Sequence, residues 1–298
     1  MFEISGRKPV TYYPKFEPLQ ETVSRVIENI TKRKGIPEFK TGLEVLDRGI
    51  FGLNRSHLTI LAARPGQGKT AMGLQVAYEL ADAGKKTAII SLELTRETVI
   101  ERMFCQTNQV NSREIQKGIL SEETKVKLIS FRDIISHMPL RIIDDYCFTE
   151  IEFFTLMEHL EYRPDVIIFD HIQHIRMSEG RLSERETLNN YLRYLKEIAM
   201  KFKIAVLCLS QINRLGEDKP TLANLKGTGS IEELADEVIL LHLENKREDF
   251  DSSQNFTMIP AILDIAKNRF GPVGYFKLFF DAPRGQFVNQ EFWQKESP

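Results

Sequence analysis

The stretch that decides the fold runs Ala63-Arg64-Pro65-Gly66-Gln67-Gly68-Lys69-Thr70. An apolar run, Leu58–Ala62, precedes it, and a helical pattern begins at Lys69. This strand–loop–helix order is the setting of a P-loop, in which glycines let backbone N–H groups turn inward around a phosphate. The helix N-terminus adds partial positive charge. We therefore expect ATP to bind along Arg64–Thr70, although a glycine-rich turn with a chance Gly-Lys-Thr is the alternative.

Two side chains of the loop and one carboxylate further along the chain have expected roles. Lys69 would bridge the β- and γ-phosphates, and the Thr70 hydroxyl would bind Mg²⁺. The apolar run Val166–Phe169 ends in Asp170, a pattern typical of a Walker B strand. Asp170 would hold Mg²⁺, largely through water. Because an apolar strand ending in Asp is common, this signal depends on its pairing with the P-loop.

Hydrolysis also needs a group that orients and deprotonates water. A strand over 88–92 leads into Glu93, and a strand over 205–209 leads into Ser210-Gln211. Residues just past the carboxyl ends of parallel strands converge on the ligand crevice. We therefore expect Glu93 to be the general base and Gln211 to reach the γ-phosphate or its attacking water. The alternatives are a helix-start carboxylate for Glu93 and a loop hydrogen bond for Gln211.

Short apolar runs alternate with helical stretches from residue 57 onward, which predicts an α/β fold. The apolar runs suit strands buried on both faces of a mostly parallel central sheet flanked by helices. The predicted strands are Leu58–Ala62, Thr87–Leu92, Leu140–Ile143, Val166–Phe169, Ile204–Leu209, Val238–Leu243, Ala261–Ala266 and Phe276–Phe280. The predicted helices cover 69–83, 95–106, 121–136, 149–160, 186–202 and 231–236. The pairs Thr149 with Glu152 and Ser230 with Glu233 fit capping boxes.

Composition narrows the class of protein. The chain has 298 residues, with 40 basic and 42 acidic side chains and a net charge of −2. Binding to nucleic acid therefore requires positive charge focused in a groove or shared between subunits. The sequence has no apolar run long enough for a membrane span and no secretory h-region. Three widely spaced cysteines, Cys105, Cys147 and Cys208, favour buried thiols in a reducing compartment.

An amphipathic helix precedes the α/β region. Its apolar positions recur at helical spacing from Phe16 to Ile30. The stripe must be buried, either on the helix's own domain or on a neighbouring subunit.

Seven sequence blocks, in order, resemble the C-terminal RecA-like motor domain of the DnaB family of replicative DNA helicases. They are Thr41-Gly42-Leu43 through Leu46-Asp47, Ala63 through Thr70, Ser91-Leu92-Glu93, Asp170-His171-Ile172-Gln173, Leu209 through Arg214, Gly229 through Asp236, and Lys267 through Pro272. The resemblance covers about residues 17–290. It divides the chain into an N-terminal arm and linker helix, 1–35, and a RecA-like motor domain, 36–298.

The resemblance implies an activity and its partners. The protein would form a hexameric ring around single-stranded DNA, bind ATP and Mg²⁺ between subunits, and translocate 5′→3′. Lys69, Glu93 and Gln211 would be catalytic, and Lys267 and Arg269 would reach the neighbouring subunit's ATP as a basic finger. Solvated hairpin charges are the alternative for that pair.

The resemblance also implies a loop that contacts the DNA backbone, through Lys226, Gly227 and Gly229. The family carries an N-terminal domain that recruits primase, and this chain begins only about 15 residues before the linker helix. Either the chain is part of a longer protein, or it is a compact plasmid, phage or organelle form. A primase or a helicase loader would be its protein partner, in the cytoplasm or in a phage, plasmid or organelle replisome.

Two other functions remain open from the sequence. One is a RecA/KaiC-class ATPase that binds DNA or partners without unwinding, and the other is a non-catalytic ring scaffold or loading partner. A base such as Glu93 and a finger such as Arg269 argue against the scaffold. We assign no metal role to His171 and His174, because no third ligand lies near them in sequence.

Overall fold

The computed structural model describes residues 18–31, 35–144, 157, 162–171, 184–212, 220–222, 225, 231, 233–244 and 258–289. The chain divides into two compact units, Met1–Ile36 and Pro37–Pro298. That these units act as linker and motor stays a prediction. Within the described ranges, no helix has the length and apolar character needed to cross a bilayer.

The first unit contains helix α1, Leu19–Thr31, among its described residues. It confirms the predicted amphipathic helix from Leu19 onward, whereas Phe16 lies outside the described residues. The apolar face is exposed along its length: Leu19, Val23, Val26, Ile27 and Ile30. A helix of 13 residues is marginally stable alone in water. The helix therefore needs a surface that covers this face, and which surface that is stays a prediction.

The second unit alternates strands and helices along the chain. The described helices are α2 (Glu44–Gly49), α3 (Lys69–Asp82), α4 (Arg96–Asn108), α5 (Ser112–Lys117), α6 (Glu122–His137) and α7 (Glu184–Phe202). The strands are β1 (Leu58–Ala63), β2 (Thr87–Ser91), β3 (Leu140–Ile143), β4 (Val166–Asp170), β5 (Ala205–Gln211), β6 (Glu237–Leu243), β7 (Met258–Asn268), β8 (Gly274–Asp281) and β9 (Gln286–Asn289). Every predicted strand is present. The predicted helix over 149–160 lies outside the described residues apart from residue 157.

The described strands form one nine-stranded sheet in the order β3-β2-β4-β5-β1-β6-β7-β8-β9. The strands from β3 to β6 in that order are parallel, and β7, β8 and β9 continue the sheet antiparallel. The predicted α/β fold with a mostly parallel, helix-flanked sheet is confirmed. The three antiparallel strands need only short turns between them, unlike the crossovers of the parallel part.

The core lies on both faces of the sheet. Along β1, Leu61 and Ala63 pack with α3, α4 and α6, while Ile60 and Ala62 pack with α7 on the opposite face. Alternate residues of a strand point to opposite faces, and here both faces are covered. This double burial explains why the central strands are continuously apolar in sequence.

Three short elements were not predicted from the sequence: α2, α5 and β9. Each has six residues or fewer, which is too short to show a hydrophobic period. The predicted capping boxes rest on Thr149, Glu152 and Ser230, outside the described residues. Side-chain caps are observed at Thr95, which accepts from Thr98 N, at Asn111, which accepts from Arg113 N, and at Ser121, which accepts from Thr124 N.

Candidate functional site

The carboxyl ends of four parallel strands converge at one edge of the sheet. In the sheet the order is β2-β4-β5-β1, so strands far apart along the chain become neighbours. The P-loop follows β1, Glu93 follows β2, and Asp170 and Gln211 end β4 and β5. The fold therefore brings these four predicted elements together, as expected for the ligand edge of an open parallel sheet.

The P-loop backbone takes left-handed conformations at two glycines. Gly66 has φ +75° and Gly68 has φ +82°, a region that side chains with a Cβ rarely adopt. Gly68 also caps α3, and a Cβ on it would lie 2.7 Å from the Phe287 ring. Gln67 Oε1 accepts a 2.6 Å hydrogen bond from the Leu243 amide at the end of β6. The loop is thus shaped by its glycines and anchored to a neighbouring strand.

Lys69 and Asp170 lie face to face inside the site. Lys69 Nζ is 3.3 Å from Asp170 Oδ1, and both side chains are largely buried. A buried carboxylate beside the first helical turn after the P-loop, where Thr70 places its hydroxyl, is an oxygen donor set of the kind Mg²⁺ prefers. These residues fit Mg²⁺, and the lysine supplies the positive charge that a phosphate chain requires.

Glu93 stands just beyond β2 on a turn that its neighbours fix. Ser91 Oγ donates to the Leu94 carbonyl at 2.7 Å and accepts from the Leu94 amide. The Glu93 side chain is half exposed, and its Oε2 lies 3.2 Å from His171 Nδ1. Its backbone is therefore held in place while its carboxylate faces the crevice.

Gln211 is the last residue of β5 and pairs in register with Ala63, the first residue of the P-loop stretch. The amide of the following residue, Ile212, donates to the Ala63 carbonyl at 3.0 Å. The Gln211 side chain is exposed at the crevice. This position suits a side chain that senses a γ-phosphate.

A cavity of about 540 Å³ occupies this edge of the sheet. The predicted residues that line it are Ala63, Arg64, Pro65, Gly66, Gly68, Lys69, Thr70, Glu93 and Gln211. The volume is in the usual range for a small-molecule site. Gln67, predicted to contact nucleotide, is not among the lining residues, and its side chain oxygen is bonded to β6.

Another part of the cavity wall comes from residues that were not predicted from the sequence. The turn between β8 and β9 contributes Arg284 and Gly285, and α4 contributes Gln106. Gln106 Nε2 donates to the carbonyls of Ala71 and Gly285, which ties this wall to the helix after the P-loop. Arg284 is held by Asp281 at 2.6 Å. The run Asp-Ala-Pro-Arg-Gly over 281–285 is a turn signal that could have marked this wall.

Among the described residues that line the cavity, Cys105 carries a thiol. Burial raises its pKa to about 11, and the charges of Glu101 and Glu114 act in the same direction. Cys208 is buried as well, and burial raises its pKa also. Both are therefore protonated at neutral pH, as the sequence predicts for buried thiols, while Cys147 lies outside the described residues.

The predicted finger residues are not at this edge. Register pairs Asn268 with Glu237, so Lys267 and Arg269 lie at the beginning of β6, whereas the P-loop contacts its end. Six residue steps of a strand span about 20 Å. Lys267 Nζ donates to the Ala235 carbonyl at 2.6 Å. Arg269 donates to Asp236 Oδ1 at 2.9 Å and to the Glu233 carbonyl at 3.1 Å.

The predictions for the DNA-binding loop and for His171 have different outcomes. The expected DNA contacts Lys226, Gly227 and Gly229 lie outside the described residues. His171, given no metal role from sequence, has Glu93 and Asp170 beside it, and one ligand atom of each lies within 4.8 Å of the others. The third group that was absent near His171 in sequence is therefore supplied by the fold, which places β2 next to β4.

The chain is similar in sequence to known proteins over most of its length. It is 31% identical over 302 residues to the replicative DNA helicase DnaC of Bacillus subtilis (strain 168), covering 98% of this chain and 65% of that protein. It is 29% identical over 270 residues to a probable plasmid replicative DNA helicase of Chlamydia psittaci, covering 87% of this chain and 57% of that protein. The chain thus spans less than two thirds of the length of these relatives.

Solved structures and a family model agree with these relatives. A solved ATPase domain aligns with a TM-score of 0.83 at 26% identity, covering 92% of this chain and 99% of that one. A DnaB-like replicative helicase, solved in a study of its interactions with primase, aligns with a TM-score of 0.79 at 26% identity, covering 92% and 71%. The model of the DnaB-like helicase C-terminal domain matches residues 38–289. With its RecA-like sheet and its P-loop edge, the chain belongs to the DnaB-like helicase C-terminal domain family.

Proposed function

We propose that this chain is the ATP-hydrolysing motor of a ring-forming replicative DNA helicase that translocates 5′→3′ on single-stranded DNA. One observation carries the proposal: the hydrolytic groups and the finger cations lie at opposite ends of the strands. Lys69, Glu93 and Asp170 meet at the carboxyl ends of the parallel strands, and Arg269 lies about 20 Å away, at the beginning of β6. A chain arranged in this way can use Arg269 in catalysis only by presenting it to a second copy.

Nucleotide binding follows from the P-loop. Backbone amides from Gly66 to Thr70 surround the phosphates, and Lys69 leaves Asp170 to contact the β- and γ-phosphates. Thr70 and Asp170 would hold Mg²⁺, which, when bound, neutralises phosphate charge during phosphoryl transfer. Arg284, Gly285 and Gln106 are among the residues that line the cavity outside the P-loop, and the nucleoside would lie on this part of the wall.

Hydrolysis is a single displacement in which Glu93 serves as the base. The water oxygen forms a bond to the γ-phosphorus while the bond from that phosphorus to the β–γ bridging oxygen breaks. A proton of the water passes to the Glu93 carboxylate, and ADP leaves with the electron pair of the broken bond. Gln211 orients the water or contacts the γ-phosphate.

Assembly and partners complete the proposal. A hexameric ring would close through contacts that bring Arg269 and Lys267 to a neighbour's ATP, with α1 covering its apolar face on an adjacent subunit. Lys226, Gly227 and Gly229 would contact the DNA backbone without reading sequence. The protein partner would be a primase or a helicase loader, and the compartment the cytoplasm or a phage, plasmid or organelle replisome.

The test is a forked-duplex unwinding assay on substrates with 5′ or 3′ tails, run beside DNA-stimulated ATPase. We expect unwinding that requires ATP and a 5′ tail and is abolished by Lys69→Ala. DNA-stimulated ATPase without unwinding of either fork would instead support a RecA/KaiC-class activity. Assembled rings without ATPase would support a scaffold, and in either case the helicase proposal would be wrong.

A further inference from the structure

His171 is a buried side chain beside the proposed base that the hydrolysis scheme leaves unused. Only 3% of its surface is exposed. Its Nδ1 atom lies 3.2 Å from Oε2 of Glu93, whereas half of the Glu93 side chain surface is exposed. A ring fixed in the core therefore meets a carboxylate that solvent can reach.

The register of two neighbouring strands produces this contact. β2 and β4 are parallel and adjacent, with Ser91 paired to Asp170. The Leu92 amide donates to the Asp170 carbonyl at 2.7 Å, so the two segments leave the sheet side by side. Residues 93 and 171 are far apart in sequence, yet this register makes them neighbours at the ligand edge.

The Glu93 carboxylate needs more than its backbone to hold it in one orientation. The hydrogen bonds of Ser91 to Leu94 fix the turn that carries Glu93. They do not fix the side-chain torsions, for which a half-exposed glutamate has several accessible rotamers. A base must keep one oxygen within hydrogen-bond reach of the attacking water, and a displacement of about 1 Å can cost on the order of 10²-fold in rate.

We propose that His171 is a positioning residue for Glu93. Nδ1 and Glu93 Oε2 are 3.2 Å apart but are not aligned as a hydrogen bond in this structure. A small rotation of the half-exposed Glu93 side chain would let the ring N–H donate to Oε2, which would leave Oε1 directed at the water. Burial restricts the ring to one orientation, so the donor is placed before the nucleotide arrives. This inference rests on the proposed role of Glu93 as the base and adds the group that orients it.

Only Nδ1 of the ring faces Glu93 in this geometry, so substitutions that place an N–H at Nδ1 can be compared with substitutions that place one at Nε2. Asparagine can place its amide N–H where histidine has Nδ1, glutamine can place one where histidine has Nε2, and leucine supplies neither. We therefore compare His171→Asn, His171→Gln and His171→Leu in the full chain. For each we measure kcat and KM in DNA-stimulated ATPase, the affinity for a fluorescent ATP analogue, the ring mass by sedimentation and the thermal unfolding midpoint.

We expect His171→Leu and His171→Gln to lower kcat by about 10–100-fold, with KM and analogue affinity within about twofold of wild type. His171→Asn should recover most of the missing kcat, with ring mass and unfolding midpoint matching across the three variants. Equal activity of the Asn and Gln variants would overturn the proposal. Normal turnover in the His171→Leu variant would also overturn it. A decrease of analogue affinity that parallels the decrease of kcat would overturn it as well, because that is the result expected if His171 bound a metal ion together with Asp170.

The variant Glu93→Gln separates this inference from the proposed function. If Glu93→Gln hydrolyses ATP at the normal rate, Glu93 is not the base and the proposed mechanism fails. If Glu93→Gln is inactive while His171→Leu is normal, only the inference about His171 fails. Because His171 acts through Glu93, adding His171→Leu to Glu93→Gln should cause no further loss, and an additive loss would contradict the positioning role.

Discussion

Replacing Arg269 with alanine tests whether hydrolysis needs two subunits. The Arg269 guanidinium lies at the beginning of β6, about 20 Å from the part of the P-loop that contacts the end of the same strand. No rotamer of an arginine spans that distance. If Arg269 contributes to phosphoryl transfer, it must act on the ATP of an adjacent subunit, and its removal should be complemented by a neighbour that retains it.

The expected effect of Arg269→Ala on rate is large, and its effect on stability is small. A finger cation contributes about 10³–10⁵ in rate, so assembled Arg269→Ala rings should be nearly inactive. The buried Asp236 carboxylate keeps Lys196 at 2.6 Å and the Leu58 amide at 2.8 Å, so its charge stays compensated without Arg269. Because the Arg269 side chain is half exposed, loss of its ion pair should cost only about 1 kcal/mol. The unfolding midpoint should therefore change little.

Mixing variants gives the decisive assay. Rings are formed from equal amounts of Arg269→Ala and Lys69→Ala protein, each inactive alone. An interface is intact when an Arg269→Ala subunit supplies the P-loop and a Lys69→Ala subunit supplies Arg269. In a ring assembled at random, about a quarter of the interfaces should have this arrangement. ATPase should rise toward about a quarter of the wild-type rate, or less if sites fire in sequence. Arg48→Ala, which removes an exposed arginine paired with Glu44, is the matched control and should leave ATPase unchanged.

Two results would contradict a role for Arg269 between subunits. Normal hydrolysis by assembled Arg269→Ala rings would make Arg269 a solvated hairpin charge. A second contradicting result needs wild-type rings diluted with either variant to lose ATPase only in proportion to the variant fraction, which excludes strictly sequential firing. No recovery on mixing Arg269→Ala with Lys69→Ala would then mean that Arg269 acts within its own subunit, against the separation along β6. Sedimentation of every sample confirms that the comparison is made between assembled rings.

Five other changes probe the site, the first unit and the DNA loop. Glu93→Gln should keep ATP·Mg²⁺ affinity while hydrolysis falls by roughly 10²-fold, whereas Lys69→Ala should weaken binding itself, as calorimetry and single-turnover assays would show. Gly68→Ala should lower the free energy of unfolding by at least about 1–2 kcal/mol and weaken nucleotide binding, because of its left-handed backbone and the ring beside it; unchanged denaturant midpoints would contradict this. Deletion of residues 1–34 should lower the sedimenting mass while the remaining domain stays folded; rings of undiminished affinity would mean that the helix is only an intramolecular cover. Lys226→Ala should weaken single-strand binding similarly for all sequences and reduce the salt slope by about 0.7 for each phosphate contact that it removes, and an unchanged slope would place the DNA path elsewhere.

The sequence predicted the ligand edge because its groups follow the same local pattern, a polar residue after an apolar strand, in combination with the P-loop. Glu93, Asp170 and Gln211 each come at the end of a buried apolar strand, and the P-loop has its own spacing of glycines. Parallel strands place their carboxyl ends at one edge whatever their order, so convergence could be expected without knowing which strands are neighbours. Which pairs touch depends on that order. The contact of His171 with Glu93 could therefore not be predicted.

The cavity wall formed by Gln106, Arg284 and Gly285 could not be predicted from the sequence, for a different reason. Gln106 is one polar residue on a helix, and nothing local distinguishes an amide that turns inward from one that faces solvent. The β9 strand that follows Gly285 has only four residues, too few to show alternation. These residues reach the nucleotide site only because β7, β8 and β9 add antiparallel strands beyond β6.

The same strand, β6, connects the two halves of the proposed mechanism. At its end, the Leu243 amide donates to Gln67 of the P-loop. Just before its start, Asp236 accepts from Arg269, and next to it Glu237 holds His57, whose ring stacks on Phe270 of the finger hairpin at 4.2 Å. The six peptide steps between these contacts lie in paired sheet, with one register shift against β7 between Val238 and Ile239. In the proposed ring, a single strand of each subunit would therefore contact both its own P-loop and the hairpin that it presents to the next subunit.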